Sequence, residues 1–280
     1  MSDNTTFRLK FWGTRGSIAC PGPDTVKYGG NTTCFEVTCG SRRIIIDAGT
    51  GIRTLGKKIM LEEGNILDAD IFFTHTHMDH IQGLPFFAPL YNPKNNVRLH
   101  AGHLQPPYDL QGLIGTMLMK DPIFPVPSSL IEQACTFNDY NCGQVFELEE
   151  GIVIRTGKLN HPNGACGYRI EFAGKAIAIC TDTEHFEDGL DQSVVSLSHD
   201  ADIMVYDSAY TEEEYDKFKG WGHSTWQEAV KVAEAANVKQ TFLFHHDPSH
   251  DDARMDAIAE EVAKIQSGIR PAIEGEEIEI

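Results

Sequence analysis

Short apolar runs that end in Gly, Asp or His recur along the whole chain. In order they read FRLKFWG, CFEVTCG, RRIIIDAG, ADIFFTH, NVRLHAG, IVIRTGKLNH, GYRIEFAG, KAIAICTD, ADIMVYDS and QTFLFHH. Each run is rich in β-branched and aromatic residues and is bounded by turn-forming residues, so each predicts a β-strand.

Two segments have helical spacing instead. In STWQEAVKVAEAANV, Ser224 or Thr225 can cap a helix whose apolar face lies between Ala229 and Ala233. The second segment is DARMDAIAEEVAKIQ, near the C-terminus. Strands interrupted by isolated helices predict an α+β fold, in which sheets pack on each other and helices lie outside.

Residues 85–150 differ because they are rich in proline and have weak periodicity. They predict long loops and short helices around one side of the core. Two interpretations remain open, a loop system that shapes a substrate mouth and a surface excursion without a role. The sequence has no internal repeat or linker, so we expect a single domain over residues 1–280.

The net charge of -18 argues against electrostatic capture of DNA, RNA or an anionic membrane. The first residues, MSDNTTFRLKF, carry no secretion signal, and no apolar run is long enough to span a membrane. We therefore expect a cytoplasmic protein with a small substrate. The cysteines are scattered and odd in number, which favours reduced, buried thiols over disulfides or a zinc-thiolate site.

The stretch FFTHTHMDHIQGL places His75, His77, Asp79 and His80 directly after an apolar run. Imidazole and carboxylate groups are ligands of zinc and its neighbours. Neither a strand nor a helix aims all four side chains at one ion. If the strand ends at Thr74 and a helix begins near Asp79, the two pairs point to different places. The spacing therefore predicts two metal sites that share one loop.

Further ligand candidates follow other predicted strands. His161 closes IVIRTGKLNH, Asp182 closes KAIAICTD, and His245 with His246 closes QTFLFHH. Side chains at the same end of adjacent strands converge, so these residues are candidates to complete both sites.

Taken together, FWGTRGS, IIIDAGTG, THTHMDHIQGL, LNHPNGACGYRIEFAGKAIAICTDT and TFLFHH resemble the metallo-beta-lactamase superfamily over nearly the whole chain. The resemblance implies a four-layer αββα sandwich with a dinuclear site along one edge. It also implies a ligand set: His75, His77 and His161 for the first ion, Asp79, His80 and His245 for the second, and Asp182 as the bridge. Of the two adjacent histidines, His245 rather than His246 is the one that matches the family pattern.

The run GWGHSTWQEAVKVAEAANVKQTFLFHH is similar to the corresponding run of the RNase Z proteins and of related small-molecule phosphodiesterases. This resemblance implies that His223 is the general acid at the scissile phosphate. Its alternative is a capping or packing role before Ser224. Asp207 falls where RNase Z proteins carry a glutamate that supports this histidine. Catalytic candidates are thus His223, Asp207 and, as a ligand, Asp79.

Two adjacent cations lower the pKa of a bridging water and neutralise phosphate charge. The resemblance therefore implies a phosphoric diester hydrolase that uses two divalent metal ions and a metal-bridging hydroxide. Zinc is the expected metal, and manganese and iron accept the same ligands. A homodimer is the form that the resemblance suggests.

A small phosphodiester, such as a cyclic nucleotide or cyclic phosphate, is the expected substrate, with Arg15, Lys27 or Arg53 as cations near it. RNase Z enzymes carry a basic arm for RNA, and no comparable insertion is recognisable here. Three alternatives stay open: an RNase Z-like RNA 3'-processing endonuclease, a thioester or lactone hydrolase, and a metal-containing sensory or binding module.

The other polar candidates receive lesser roles. Asp47, which ends IIIDAG, is expected to fix the loop or support a ligand. His100 and His103 are expected in a strand and its following turn, and His185 is left open between a supporting role and substrate contact. His199 and His250 are expected in polar turns.

Overall fold

The structure, a computed structural model, describes residues 5–62, 64 and 66–280. The strands of its first sheet are β1 Phe7–Gly13, β2 Cys34–Cys39, β3 Arg42–Ile46, β4 Asp68–Phe73, β5 Asn96–Ala101, β6 Cys135–Asp139 and β14 Glu277–Glu279. They lie in the order β14-β1-β2-β3-β4-β5-β6, and β3 to β6 run parallel.

The strands of the second sheet are β7 Val145–Glu147, β8 Val153–Leu159, β9 Ala165–Phe172, β10 Lys175–Cys180, β11 Ile203–Asp207, β12 Gln240–Phe244 and β13 Ile269–Pro271. They lie in the order β13-β12-β11-β10-β9-β8-β7. Strands β10 to β13 run parallel, and β8 has the same direction because it pairs antiparallel with β9, which pairs antiparallel with β10. The carboxyl ends of β8, β10, β11 and β12 therefore meet at one edge.

The α-helices are α1 Ile52–Glu62, α2 Met78–Ile81, α3 Leu110–Leu113, α4 Gln192–Ser198, α5 Glu212–Tyr215, α6 Trp226–Ala235 and α7 Asp252–Ile265. Short 3-10 turns occupy Pro23–Thr25, Leu84–Phe86, Ala88–Tyr91, Ser128–Leu130 and Glu149–Gly151, and Ile114–Leu118 forms one π-helical turn. No helix among the described residues has the length and apolar character needed to cross a bilayer.

The alternation of side chains in the strands produces four layers. In β3, Ile44 and Ile46 pack between the two sheets, whereas Ile45 packs with Ile52 and Leu55 of α1 on the outer face. On the far side, α6 and α7 cover the outer face of the second sheet through residues such as Trp226, Val232, Met255 and Ile258. These contacts confirm the predicted α+β sandwich.

All ten predicted strands and both predicted helices are present. Thr225, not Ser224, caps α6, since its side chain accepts the N–H of Glu228. The prediction of loops for residues 85–150 was incomplete. Strands β6 and β7 lie within this segment, and their mostly exposed side chains give little apolar periodicity. The prediction of one domain stays a prediction.

The prediction of reduced, buried thiols was wrong for one pair. Cys142 and Cys166 form a disulfide, and Cys20, Cys34, Cys39, Cys135 and Cys180 are free. The pairing depends on the turn between β6 and β7 lying against the start of β9. The linear spacing of the cysteines does not reveal that contact.

Candidate metal centre

The first four ligand candidates lie in residues 74–80, the metal loop, which comprises the loop between β4 and α2 and the first turn of α2. Strand β4 ends at Phe73 and α2 begins at Met78, with His77 at its N-terminal cap. His75 and His77 thus lie in the loop, and Asp79 and His80 lie in the first turn of α2. The strand-to-helix change lies within one residue of the predicted positions.

The first group of side chains consists of His75, His77 and His161, whose potential ligand atoms all lie within 4.8 Å of one another. His161 follows β8, and its Nδ1 lies 2.7 Å from the carbonyl oxygen of Gly222. Because a carbonyl oxygen only accepts, Nδ1 carries the proton and Nε2 keeps a free lone pair. That Nε2 lies 3.1 Å from His77 Nδ1.

The second group consists of Asp79, His80 and His245, again within 4.8 Å of one another. Asp79 Oδ2 lies 3.3 Å from Nε2 of both His80 and His245. The peptide N–H of Ser17 also donates to this oxygen over 2.8 Å, which brings the N-terminal WGTRGS segment beside the centre.

Asp182 lies between the two groups. Its Oδ1 is 3.1 Å from His245 Nε2 and 3.3 Å from His80 Nε2. The same oxygen is 3.8 Å from His75 Nε2 and 4.0 Å from His161 Nε2. A carboxylate that faces histidines of both groups has the position expected of a bridge between two ions.

The donor set fits divalent cations. Nε2 of His75 is buried and has no hydrogen-bond partner among the residues that the structure describes. Burying such a nitrogen unpaired is costly, and a metal ion satisfies it. The seven residues named from the sequence therefore lie together, and their assignment to two ions stays a prediction.

Asp47 holds His80 in place from behind. Its Oδ2 lies 2.8 Å from His80 Nδ1, while the N–H and hydroxyl of Thr74 each donate to the carboxylate over 2.7 Å. Asp47, Asp182 and His245 also adopt positive φ of 62°, 59° and 63°. Such strained backbone at strand ends is typical of functional sites. The role of Thr74 was not inferred from the sequence.

Burial and neighbouring charges shift the pKa values of the ligand side chains in different directions. Burial tends to lower the pKa of His80, but the Asp182, Asp79 and Asp47 carboxylates outweigh it and raise this pKa. Burial lowers the pKa of His75. Burial tends to raise the pKa of Asp182, yet the nearby His245 and His80 hold it well below its ordinary value. The carboxylate is therefore ionised at neutral pH, as a metal ligand must be.

Two glycines permit close approach to the ligand histidines. A Cβ at Gly16 would overlap the ring of His245, and a Cβ at Gly222 would overlap the ring of His161. Gly222 also has a φ of +90°. Neither requirement was inferred from the sequence, where the only signal was the abundance of glycine in FWGTRGS and GWGHST.

His223 and Asp207 form a pair at the edge of these groups. His223 Nδ1 lies 2.8 Å from Asp207 Oδ2, and the His223 ring lies 4.4 Å from that of His245 and 5.2 Å from that of His161. Asp207 ends β11 and also accepts the N–H groups of Thr183 and Ser224. Thr225 provides the cap of α6, so His223 is not needed for that role.

The remaining histidines lie outside the ligand groups. His246 Nε2 contacts the carbonyl oxygen of Ala272, and His100 Nε2 contacts Asp70. His185 Nδ1 contacts Ser224 Oγ, which gives it a supporting position. His103 lies closer to the centre than expected. Its Nε2 is 2.9 Å from Thr76 Oγ1 in the metal loop, and burial lowers its pKa to about 4.

Two of the cations expected near the substrate are engaged elsewhere. Arg15 is fully buried and donates to the carbonyl oxygens of Gly29, Asp247 and His250. Its guanidinium therefore stabilises the backbone of these loops. Lys27 forms an ion pair with Asp256. Nothing in the sequence around Arg15 indicated that its guanidinium faces inward.

The profile of the beta-lactamase superfamily domain matches residues 42–246. The ribonuclease Z of Haloarcula marismortui is 26% identical over 96% of this chain and 97% of its own length. The ribonuclease Z of Haloferax volcanii is 23% identical over 86% of this chain and 84% of its own length.

Solved structures show the same fold. The metallo-beta-lactamase fold protein YhfI from Bacillus subtilis superposes with a TM-score of 0.75 at 17% identity, covering 98% of this chain and all of that one. A diphosphatase from the PhnP family superposes with a TM-score of 0.72 at 19% identity, covering 99% and 98% of the two chains. The chain therefore belongs to the beta-lactamase superfamily, in its ribonuclease Z-like branch.

Proposed function

We propose that this protein is a phosphodiesterase that hydrolyses a small phosphodiester, a cyclic nucleotide or another cyclic phosphate, with two divalent ions. The ions are assigned to His75, His77, Asp79, His80, His161, Asp182 and His245. Zinc is the proposed metal, because imidazole and carboxylate donors suit it. Similarity to proteins named ribonuclease Z supports phosphodiester hydrolysis by a metal-dependent enzyme.

The observation that carries the proposal is the Asp207–His223 pair beside both ligand groups. Asp207 accepts from Nδ1 of His223 and stabilises the imidazolium. The other ring nitrogen, Nε2, then donates its proton to the departing alkoxide. An alkoxide leaving group needs this proton, so the pair suits a phosphodiester with a poor leaving group.

When bound, divalent ions would supply a hydroxide nucleophile at neutral pH and would neutralise charge on the phosphoryl oxygens. The protein's own residues orient this chemistry. Asp47 fixes His80, the Gly222 carbonyl fixes His161, and the Ser17 N–H fixes Asp79. These three ligands therefore have a defined orientation before substrate binds.

Charge favours a small substrate over RNA. The net charge is -18, and Lys94, Arg98 and Lys120 are the basic residues of the segment 85–150. Arg98 is already bound to Asp68 and Asp70. Such a surface offers few groups that release counterions from an RNA backbone. RNA 3'-end cleavage remains the second candidate function, because the relatives are named ribonuclease Z.

The test is turnover of bis-p-nitrophenyl phosphate by metal-loaded protein, with and without a chelator, followed by a substrate panel. The panel contains 2',3'- and 3',5'-cyclic nucleotides, cyclic ribose phosphates, a thioester, a lactone and a transfer-RNA precursor. We expect chelator-sensitive hydrolysis of the diesters and of a cyclic phosphate. Cleavage of the precursor alone would replace the proposal with the RNA function. Thioester or lactone hydrolysis alone, or ligand binding without turnover, would refute it.

A further inference from the structure

A large apolar groove opens beside the metal loop. Its volume is about 750 Å³. One wall is the metal loop and α2, with Thr76, Met78 and Gln82, and the other wall comes from Phe86 and residues 113–124. The volume of the groove thus lies within the range found for small-molecule sites, roughly 300–1,000 Å³.

Several large apolar side chains that line this groove are exposed to solvent. The exposed fractions are 60% for Met78, 58% for Phe86, 59% for Met117 and 75% for Ile123. Scattered exposed apolar residues are normal, but four around one concave surface form a patch of the kind that binds a ligand.

The outer wall is held in a defined shape. Helix α3, capped by Asp109, continues into the π-helical turn Ile114–Leu118, which closes with the Met119 N–H donating to the Ile114 carbonyl over 2.8 Å. Leu110, Ile114 and Leu118 are buried in the core, which leaves Thr116 and Met117 on the groove side. Single π turns of this kind occur frequently at functional sites.

The groove adjoins the metal centre through the chain itself. Thr76 and Met78 flank His77, the one half-exposed side chain among the seven proposed ligands. Asp79 and His80 directly follow Met78 in the same helical turn. A ligand that fills the groove therefore has one end next to the ions and the other between the two walls.

We propose that this groove binds the nucleobase of a nucleotide phosphodiester whose phosphate lies at the metal centre, an inference that rests on the proposed function. Phe86 and Phe124 lie edge to face with their ring centroids 5.6 Å apart, which presents an aromatic surface on which a base stacks. The thioethers of Met78 and Met117 also favour contact with an aromatic ring.

The polar groups of the groove distinguish a base from an alkyl chain. Gln82, Lys120 and Asp121 lie among the apolar side chains. The side chains of Lys120 and Asp121 form no ion pair or hydrogen bond within the part of the chain that the structure describes. Donors and acceptors around an apolar site match the polar edge of a nucleobase, whereas an alkyl chain leaves them unused.

The test compares two esters with the same leaving group, the p-nitrophenyl ester of thymidine 5'-phosphate and methyl p-nitrophenyl phosphate. The variants are Phe86→Ala and Phe124→Ala, and the control is Leu61→Ala, an equally apolar residue that is 75% exposed on α1. We expect each groove variant to lower kcat/KM for the nucleoside ester about tenfold, mainly through KM. The methyl ester and the Leu61→Ala control should change less than about twofold.

Binding of adenosine, measured by titration calorimetry, gives a readout that needs no turnover. We expect wild-type protein and Leu61→Ala to bind adenosine, and Phe86→Ala to bind it about tenfold more weakly. If wild type does not prefer the nucleoside ester and the groove variants behave as wild type on both esters, the proposal is overturned. Adenosine binding that depends on Phe86, without hydrolysis of either ester, would refute the proposed function and keep the groove assignment.

The base can belong to a free nucleotide or to the end of an RNA, and two further substrates separate these sources. Loss of 2',3'-cyclic AMP cleavage in Phe86→Ala assigns the groove to a free nucleotide. Loss of transfer-RNA precursor cleavage alone assigns it to a base of RNA. Unchanged cleavage of both substrates contradicts base binding in this groove.

Discussion

Asp207 Oδ2 lies 2.8 Å from His223 Nδ1, and the Asp207 side chain is completely buried. The carboxylate is held by the N–H groups of Thr183 and Ser224, so it fixes the ring of His223 against those of His161 and His245. A buried carboxylate behind a histidine sets its tautomer and stabilises its protonated form. The pair is therefore arranged for proton donation from Nε2.

The first prediction concerns the leaving group. His223→Ala should retain both metal ions and lose about a hundred to ten thousand fold in kcat on a diester with an alkyl leaving group. On a diester with an acidic phenol leaving group the kcat of His223→Ala should fall far less, because a phenolate departs without a proton. Steady-state rates on the two substrates, with metal content by mass spectrometry, provide the measurement. Equal losses on both would remove His223 from the acid role.

The second prediction concerns the support of His223. Asp207→Asn should lower kcat on the alkyl diester at least about tenfold, because the amide does not stabilise the imidazolium. It should leave KM nearly unchanged. Asp256→Asn makes the same chemical change at a partly exposed ion pair with Lys27 and serves as the control. An Asp207→Asn enzyme with the leaving-group dependence of wild type would show that the carboxylate is only structural.

Much of the sandwich could be predicted because strand periodicity is local. Ile44, Ile45 and Ile46 form a continuous apolar run since both faces of β3 are covered. Helix α1 was missed, although Ile52, Leu55 and Ile59 have helical spacing and are buried. Strand β6 gave no comparable signal, since an edge strand such as CTFND has mostly exposed side chains.

The metal loop could also be predicted because its four ligand candidates lie within six residues. The contacts that complete the centre depend on tertiary structure. Asp182 reaches both groups because the loop that follows β10 lies against the metal loop, which follows β4 of the other sheet. Asp47 follows β3 and reaches His80 because β3 and β4 are parallel neighbours. The groove beside Phe86 depends on how residues 113–124 fold over α2, and no local pattern encodes that contact.

A third prediction separates ligand support from general stability. Asp47→Asn removes the charge behind His80, so metal affinity should fall about tenfold to a hundredfold. Asp70→Asn is the matched control, because Asp70 is also buried and also contacts a histidine, His100, at 3.0 Å. It should retain wild-type affinity. Competition with a chromophoric chelator measures both variants, and equal affinity losses would argue against a specific role for Asp47.

A fourth prediction tests the close approach of the N-terminal segment. Gly16→Ala should displace the His245 ring, which a Cβ at this position would overlap. The protein should then bind one metal ion more weakly than the other. Gly22→Ala is the control, because the nearest atom to its Cβ, Thr25 Oγ1, lies 3.9 Å away. Titration with Co²⁺, followed by absorption, should show one weakened step in Gly16→Ala. Two unchanged steps would place the ring of His245 outside the metal shell.

The last prediction concerns acid stability. Asp70 accepts hydrogen bonds from Arg98, Arg42 and His100. Burial tends to raise the Asp70 pKa, but the Arg98 and His100 contacts outweigh it and hold the pKa well below the ordinary value of 3.8. The Asp70 carboxylate therefore binds a proton less readily in the folded state than in the unfolded state. The resulting stabilisation is present above about pH 4 and is lost as pH falls through the folded-state pKa.

Asp70→Asn should accordingly lower the free energy of unfolding at pH 7 by about 2 kcal/mol, since it removes the charge of a buried hydrogen-bond acceptor and leaves Arg42 and Arg98 with the exposed Asp68 as their partner. The difference from wild type should shrink as the pH is lowered below about 4, because wild type then loses the same carboxylate charge. Urea unfolding of both proteins without metal, at pH 7 and at several values below pH 4, measures this difference. If the gap between the two proteins stays constant over that range, Asp70 ionisation does not stabilise the fold.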